Sequence, residues 1–167
     1  MWLKNILSFW LDFGPDYTKS QMDNRTGEVY SKHVVKTRID EQLTKLHDLW
    51  YDGRRRIVPI EFIEKHFTDL SLAIWYLDDG TLTTAKGYYR IVFGTNRYSK
   101  EEVEFLAELL RSRYTLKVHV TPWQNGKFVL RMFQGESRKL LKIINNVLPT
   151  KLRCMSYKLE EVGKYGA

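Results

Sequence analysis

The run Leu72-Ala73-Ile74-Trp75-Tyr76-Leu77-Asp78-Asp79-Gly80 is an almost wholly apolar helix pattern that ends in two adjacent carboxylates and a glycine. The C-terminus of a helix carries partial negative charge, so each acid there costs a few tenths to about 1 kcal/mol unless a cation compensates it. Carboxylate oxygens are the preferred ligands of hard divalent cations. Asp78 and Asp79 therefore predict a metal site, although a solvated Asp-Gly pair that caps the turn into a strand is the alternative.

Helices and hairpins alternate on both sides of this run. Hydrophobic spacing and turn residues predict helix, strand, strand, helix, strand, strand, helix over residues 70–148. Residues 2–52 predict helix, strand, strand, helix, and the first of these helices spans 2–12. Ser99 and Glu102 predict a capping box for the middle helix of the longer series. Because the shorter order equals the back portion of the longer one, we expect an α+β chain with an incomplete unit at 1–58 and a complete unit at 59–167.

The composition is that of a basic globular protein of 167 residues, with a net charge of +7 and a pI near 9.4. That charge favours a polyanionic partner such as nucleic acid, but it does not by itself distinguish such a protein from an ordinary basic one. A single cysteine, Cys154, excludes an intramolecular disulfide and an all-cysteine metal site. We find no secretory leader, no apolar run of the roughly 20 residues that span a membrane, no glycine-rich phosphate loop and no Cys/His zinc pattern.

The run 72–80, preceded by Pro59 and by Leu70-Ser71, resembles the second motif of the LAGLIDADG homing endonucleases. The stretch Arg54–Pro59 ahead of it and Ser156–Leu159 near the end fall where the monomeric, two-motif branch of that family has them, so the resemblance covers about residues 27–159. It implies an α+β, LAGLIDADG homing endonuclease-like fold. For this chain we expect a complete αββαββα unit, with an antiparallel, saddle-shaped sheet, after the incomplete copy of the unit.

The resemblance also implies an activity, namely hydrolysis of phosphodiester bonds at a long recognition site in double-stranded DNA with Mg²⁺ or Mn²⁺ as cofactor. Asp79 matches the metal-binding acid of the family, and Asp78 matches a position that is often not acidic. Lys158 and Arg56 match basic residues near the cleavage centre. Because an arginine cannot shuttle protons, the role implied for Arg56 is electrostatic only.

Sheets of this family are implied to lie along the major groove, which a two-stranded ribbon fits. Arg, Lys, Asn and Gln side chains read base edges or hold phosphates. The alternative for each residue is that it lies on the solvent-exposed face of an amphipathic hairpin and binds nothing. The candidate DNA-binding residues, which lie on or near the three predicted hairpins, are Lys19, Gln21, Arg25, Lys32, Lys36, Arg38, Arg90, Asn96, Arg97, Lys117, His119, Gln124, Lys127 and Arg131.

A monomeric enzyme of this kind needs two acid-bearing helices, and only one matches. The run Ile6–Gly14 has Phe13 where the second acid would stand, and it aligns better with a middle helix. We therefore expect the first motif and its hairpin to be missing, and a homodimer partner or a second fragment to supply another such helix. Three hypotheses stay open: an endonuclease or half of one, a catalytically inactive DNA-binding remnant, or an RNA-binding intron maturase.

Family members are often encoded inside introns of bacteria, phages or organelles. The resemblance therefore implies an intracellular protein, in the cytoplasm or nucleoid of a bacterium or phage-infected cell or in an organelle matrix, and not a secreted one.

Overall fold

The computed structural model describes residues 2–85, 88–148 and 156–159. The chain divides into two compact units, Met1–Leu49 and Trp50–Ala167. Residues 50–58 belong with the second unit because the Val58 N–H donates to the Glu102 carboxylate, at 2.9 Å. The unit boundary therefore precedes the predicted boundary at 58/59. Among the helices described, none combines the length and apolar character that a membrane span requires.

The first unit contains α1 (Trp2–Leu7), β1 (Tyr17–Met22), β2 (Val29–Val34) and α2 (Glu41–Trp50), the last residue of which counts with the second unit. The two strands pair antiparallel around the turn at residues 23–27, as predicted. The prediction of a helix over 2–12 is wrong beyond Leu7. Residues 12–14 instead pair with residues 36–38, since the Gly14 N–H donates to the Lys36 carbonyl and the Arg38 N–H to the Asp12 carbonyl.

No residue of the first unit whose burial is described is fully buried. Both faces of the β1–β2 hairpin are exposed, and the side chains of Phe9 and Trp10 are 91% and 73% exposed. The described part of this unit therefore has little core of its own, and its origin as an incomplete copy of a larger fold stays a prediction.

The second unit follows the predicted order from α4 to α6. Its elements are β3 (Tyr51–Asp52), β4 (Arg55–Arg56), α3 (Ile60–His66), α4 (Asp69–Asp79), β5 (Gly80–Ala85), β6 (Tyr88–Phe93), α5 (Lys100–Tyr114), β7 (His119–Pro122), β8 (Phe128–Met132), α6 (Gln134–Val147) and α7 (Ser156–Leu159). The sequence did not predict β3, β4 or α7, which are too short for a hydrophobic period to show.

One four-stranded antiparallel sheet, in the order β5-β6-β8-β7, forms the framework of this unit. Along β6, Tyr89, Ile91 and Phe93 are buried and face the layer of α4, α5 and α6. Because successive side chains of a strand alternate between faces, Arg90 points to the opposite face. Val92 shares the face of Arg90 and pairs with Arg131, which in turn pairs with His119, so Arg90, Arg131 and His119 lie on that open face.

Helix α4 is fixed at both ends by local interactions. At its start, Thr68 and Ser71 form a capping box, in which each side-chain oxygen accepts the other residue's backbone N–H at 3.2 Å. At its end, the Gly80 N–H donates to the Tyr76 carbonyl. Between these ends, Leu72, Ala73 and Tyr76 are fully buried, so α4 is the central helix of the core.

Gly80 is required by a close approach. A Cβ at this position would lie 2.3 Å from Tyr76 Cδ2 and 2.4 Å from the Tyr76 carbonyl oxygen. We expect Gly80→Ala to lower the free energy of unfolding by about 1 to 3 kcal/mol, because the buried Tyr76 and its backbone must shift. Denaturant unfolding monitored by circular dichroism measures this change.

Gly135→Ala, in the first turn of α6, is the matched control. No described atom lies within 4 Å of a Cβ built there, so this substitution should stabilise the fold by about 0.4 to 1 kcal/mol. Equal effects of the two substitutions would contradict a requirement for glycine at position 80.

Candidate active site and nucleic-acid interface

Asp79 is the last residue of α4 and lies partly buried, whereas its neighbour Asp78 is exposed. The Asp79 carbonyl accepts the N–H of Gly94, at 3.1 Å, which ties the end of α4 to the end of β6. Burial, followed by the nearby Asp78 carboxylate, raises the pKa of Asp79. The positive charges of Arg56, Arg97 and Lys158 oppose that rise without cancelling it.

Lys158 supplies the cation that the C-terminus of α4 requires. Its Nζ donates to the Leu77 carbonyl at 2.6 Å and lies 3.4 Å from the Asp78 carbonyl, while the Tyr76 hydroxyl donates to the Lys158 carbonyl at 2.6 Å. Burial lowers the pKa of Lys158, and the carboxylates of Asp78 and Asp79 partly offset this effect. An ammonium group at the last turn therefore compensates the acids electrostatically, a role that the sequence had suggested for a metal alone.

Arg56 reaches the same place from the short strand β4. It lines one cavity together with Asp78, Asp79 and Tyr98, and its Nε is buried with no hydrogen-bond partner among the described residues. Three of the predicted site residues, Asp79, Lys158 and Arg56, are thus brought together from segments that are far apart in sequence.

Two further residues lie near this site, and the sequence predicted neither of them as part of it. Arg97, predicted as a DNA-binding residue, acts electrostatically on Asp79 from the loop between β6 and α5. Tyr98 lines the cavity, and burial raises the pKa of its hydroxyl. For Tyr98, the only sequence signal was its position beside the predicted capping box at Ser99.

The cavity beside Asp79 has a volume of about 390 Å³ and is apolar along most of its wall. Its lining includes Phe62 and Ile63 from α3 and the partly exposed Ile74 and Trp75 from α4. The helix predicted to have no polar face therefore buries one side in its own unit and leaves part of its other side accessible. The two carboxylates lie at one end of this apolar groove.

The donor atoms at Asp78 and Asp79 fit a hard divalent cation in kind but not in number. Carboxylate oxygens suit Mg²⁺ and Mn²⁺, and Mg²⁺ takes about six oxygen ligands, several of which are commonly water or phosphate. Within the described residues, no group of three or more acid, histidine or cysteine side chains could hold a metal. Water, phosphate oxygens or another acid-bearing chain would have to complete the coordination.

The predicted DNA-binding residues of the second unit lie on the open sheet face or at its ends. Arg90, His119 and Arg131 lie within strands of that face. The other five lie in flanking segments: Asn96 and Arg97 follow β6, Lys117 precedes β7, and Gln124 and Lys127 lie in or beside the turn between β7 and β8. Arg131 is partly buried, and the remaining seven are exposed.

The predicted residues of the first unit follow the β1–β2 hairpin. The pairings of Lys19 with Lys32 and of Gln21 with Tyr30 place these side chains on one face. Arg25 lies in the turn, while Lys36 and Arg38 lie beyond the end of β2. All six predicted residues of this unit, which include Lys19, Gln21 and Lys32, are exposed.

Known proteins resemble this chain in sequence and in fold. The sequence profile described as the LAGLIDADG DNA endonuclease family matches residues 1–140. Among solved structures, the chain is similar to the homing endonuclease I-WcaI bound to its DNA recognition sequence, with a TM-score of 0.77 and 20% identity, over 95% of this chain and 70% of that one.

Curated relatives include the uncharacterized protein MJ1098 of Methanocaldococcus jannaschii, which is 28% identical over 92% of this chain and 62% of its own length. The cytochrome b mRNA maturase bI2 of Saccharomyces cerevisiae is 29% identical over 71% of this chain and 28% of its own length. The intron-encoded endonuclease ai4 of Dictyostelium discoideum is 28% identical over 68% of each chain. This chain therefore spans less than two thirds of the first two relatives.

The raised pKa of Asp79 makes a prediction about stability. Because the folded state binds this proton more tightly than the unfolded state, unfolding free energy falls as pH rises from the unfolded pKa, about 3.9, through the raised folded pKa. In metal-free buffer, Asp79→Asn should match the wild type near pH 3 and be more stable than it at pH 7. Thermal unfolding across this pH range measures the difference.

Glu104→Gln removes one negative charge from an exposed position of α5 and serves as the control. A loss of stability at pH 7 in Asp79→Asn alone would contradict this prediction, because it would mean that Arg56, Arg97 and Lys158 stabilise the ionised form in the folded state.

Proposed function

This chain belongs to the LAGLIDADG DNA endonuclease family, and we propose that it binds double-stranded DNA and hydrolyses phosphodiester bonds with a divalent metal. The observation that carries the proposal is the cluster at the end of α4. A partly buried carboxylate, Asp79, has a raised pKa and lies among the charges of Arg56, Arg97 and Lys158. This is a combination that suits a metal and a phosphodiester together.

The proposed roles follow from the charge and reach of each group. Asp79, with Asp78 as a second donor, holds Mg²⁺ or Mn²⁺. Such a cation, when bound, supplies an activated water and neutralises charge on the phosphate. Arg56 and Arg97 attract the phosphate, and Arg56 stays protonated throughout. Burial lowers the pKa of Lys158, and Lys158 is the basic group of this cluster that can exchange a proton, because an arginine stays protonated.

The proposed site needs a second acid-bearing helix. Two carboxylates alone leave a divalent cation short of ligands, and the apolar groove along Ile74 and Trp75 offers a face on which a similar helix can pack. We propose that a second copy of this chain, or a separate fragment with such a helix, supplies it. The active species is then an assembly with one Asp79-type acid on each side of the scissile bonds.

The open face of the sheet is the proposed DNA-binding surface. Strands of an antiparallel sheet fit the major groove, where arginine reads guanine and lysine or histidine holds phosphate. Arg90, His119 and Arg131 project from this face in the second unit. In the first unit, Lys19, Gln21 and Lys32 share the equivalent exposed face of a hairpin.

A second candidate function is RNA binding as an intron maturase. Two relatives, from Saccharomyces cerevisiae and Debaryomyces hansenii, are named cytochrome b mRNA maturase bI2. The same basic strands could contact the backbone of structured RNA. Under either function we propose an intracellular location, in which the single cysteine stays reduced.

The nuclease proposal predicts the effect of one isosteric substitution. Asp79→Asn should reduce Mg²⁺- or Mn²⁺-dependent cleavage by about a thousandfold, because metal-mediated charge stabilisation supplies several kcal/mol. Binding of duplex DNA in EDTA should be retained. The assay is cleavage of a library of candidate duplexes at increasing protein concentration, with Glu104→Gln as the matched charge control.

Each outcome of this assay has one meaning. A rate that rises with the square of protein concentration supports a homodimer, whereas cleavage only after addition of a separate acid-bearing fragment supports a two-chain enzyme. Duplex binding without cleavage under all these conditions overturns the nuclease and leaves an inactive DNA-binding remnant. Preferential binding of structured RNA over duplex DNA favours the maturase.

The proposed DNA-binding face predicts a second result. Arg90→Gln should weaken specific duplex binding by about 1 to 3 kcal/mol, since a bidentate arginine contact is worth that much. The control is Lys142→Gln, which removes the same charge from an exposed position of α6 on the opposite layer. Fluorescence anisotropy over a range of salt concentrations measures both, and equal losses would mean that the open face has no special role.

A further inference from the structure

Glu102 makes more hydrogen bonds than its position as a helix cap explains. Its carboxylate accepts the Ser99 N–H at 2.6 Å, the Val58 N–H at 2.9 Å and the Arg55 Nη2 at 3.0 Å, and its side chain is only 12% exposed. Burial on its own raises the pKa of Glu102, but these hydrogen bonds together hold that pKa below its usual range. The group is therefore ionised at neutral pH.

A capping box at the start of α5 accounts for only one of these partners. Ser99 belongs to that box, and its hydroxyl accepts the Glu102 N–H in return. Val58 and Arg55 lie 44 and 47 residues earlier in the chain. The same carboxylate thus joins α5 to the segment that carries Arg56.

Arg56 lies next to this connection. It lies between Arg55 and Val58 on a strand of two residues, and a two-stranded hairpin of that length is not stable by itself. Because side chains alternate along a strand, fixing Arg55 on Glu102 turns Arg56 to the other side. That side is the cavity lined by Asp79 and Tyr98.

The sequence offers three consecutive arginines, Arg54-Arg55-Arg56, for one place beside Asp79. A slip of one residue would bring a neighbouring arginine to the cavity and turn Arg56 away. Backbone pairing supports the register of this segment, since Tyr51 pairs with Arg56 and the Ile57 N–H donates to the Trp50 carbonyl at 2.9 Å. The buried Nε of Arg56 has no hydrogen-bond partner among the described residues. The Glu102 carboxylate adds two bonds that tie the same segment to α5, from the Val58 N–H and from Arg55.

We propose that Glu102 is a positioning residue, which holds Arg55 and Val58 so that Arg56, rather than a neighbouring arginine, faces Asp79. Its consequence for catalysis rests on the nuclease function proposed above. Its consequence for the orientation of Arg56 does not.

The kinetic test compares Glu102→Ala with Arg56→Gln in single-turnover cleavage at saturating protein. Both should reduce the cleavage rate, Glu102→Ala by about 10- to 100-fold as outer-shell substitutions commonly do, with little change in DNA affinity. The double variant should be no slower than Arg56→Gln alone. Glu102→Gln, which keeps an oxygen for the Val58 N–H, should restore part of the rate.

Ser99→Ala is the matched control, because it removes the cap hydroxyl and leaves Val58 and Arg55 on Glu102. It should lower the melting temperature and keep the wild-type cleavage rate. A Ser99→Ala rate as low as that of Glu102→Ala would overturn the proposal in favour of simple helix capping. A double variant slowed by the product of the two single effects would overturn it as well.

A second readout separates this proposal from the nuclease function. If the wild-type protein does not cleave DNA, NMR still reports amide exchange at Val58 and the Nε–H resonance of Arg56. Glu102→Ala should speed exchange at Val58 and shift the Arg56 resonance, and Ser99→Ala should do neither. Unchanged signals in Glu102→Ala would overturn the positioning role whatever the activity of the protein.

Discussion

Two carboxylates lie at the negative end of a buried helix, and the positive side chains of the site are arranged around them. Asp79 ends α4, where backbone carbonyls already disfavour an anion and where burial raises its pKa further. Three positive side chains from three separate segments meet this constraint. Lys158 donates to the last carbonyls of α4, while Arg56 and Arg97 act on the carboxylate through space.

The core around α4 explains why the acid can be kept in this position. Leu72, Ala73 and Tyr76 are fully buried. Tyr76 packs so closely against the backbone of Gly80 that a side chain at position 80 would overlap it. The apolar burial of the helix offsets the electrostatic cost at its end. Active sites commonly carry such a cost in stability. The groove beside the site leaves apolar side chains of α4 exposed to solvent. A partner helix packed in the groove would bury them.

Sequence reasoning succeeded where the signal is local and periodic. The apolar spacing of residues 70–79 and the Ser99 to Glu102 capping box each predict an element that the structure contains. It failed where a non-local pairing decided the backbone. The helix predicted over residues 2–12 ends at Leu7, and residues 12–14 pair with residues 36–38. The two-residue strand of Arg55 and Arg56 lies in a segment whose hydrogen-bond partners include Trp50 and the distant Glu102, and no local pattern reveals Glu102 as a partner. The predicted DNA-binding residues remain predictions, since exposure on a sheet face shows only that they are available.

The sequence by itself determined the order of elements from α4 to α6, the acid at the end of α4 and the family, because these depend on residue type and on the spacing of a few positions. The family resemblance implied Lys158 and Arg56 as its basic neighbours, but only the tertiary structure shows which atoms these cations meet and adds Arg97 to them. Lys158 and Arg56 lie 79 and 23 positions from Asp79 along the chain, and no local pattern links them. The same holds for Glu102. Its sequence neighbours indicate a helix cap, but its contacts with Val58 and Arg55 appear only in the folded chain, because those residues lie 44 and 47 positions earlier in the sequence. Charge acts through space and not along the sequence, so the electrostatics of a site follow from the packing that assembles it.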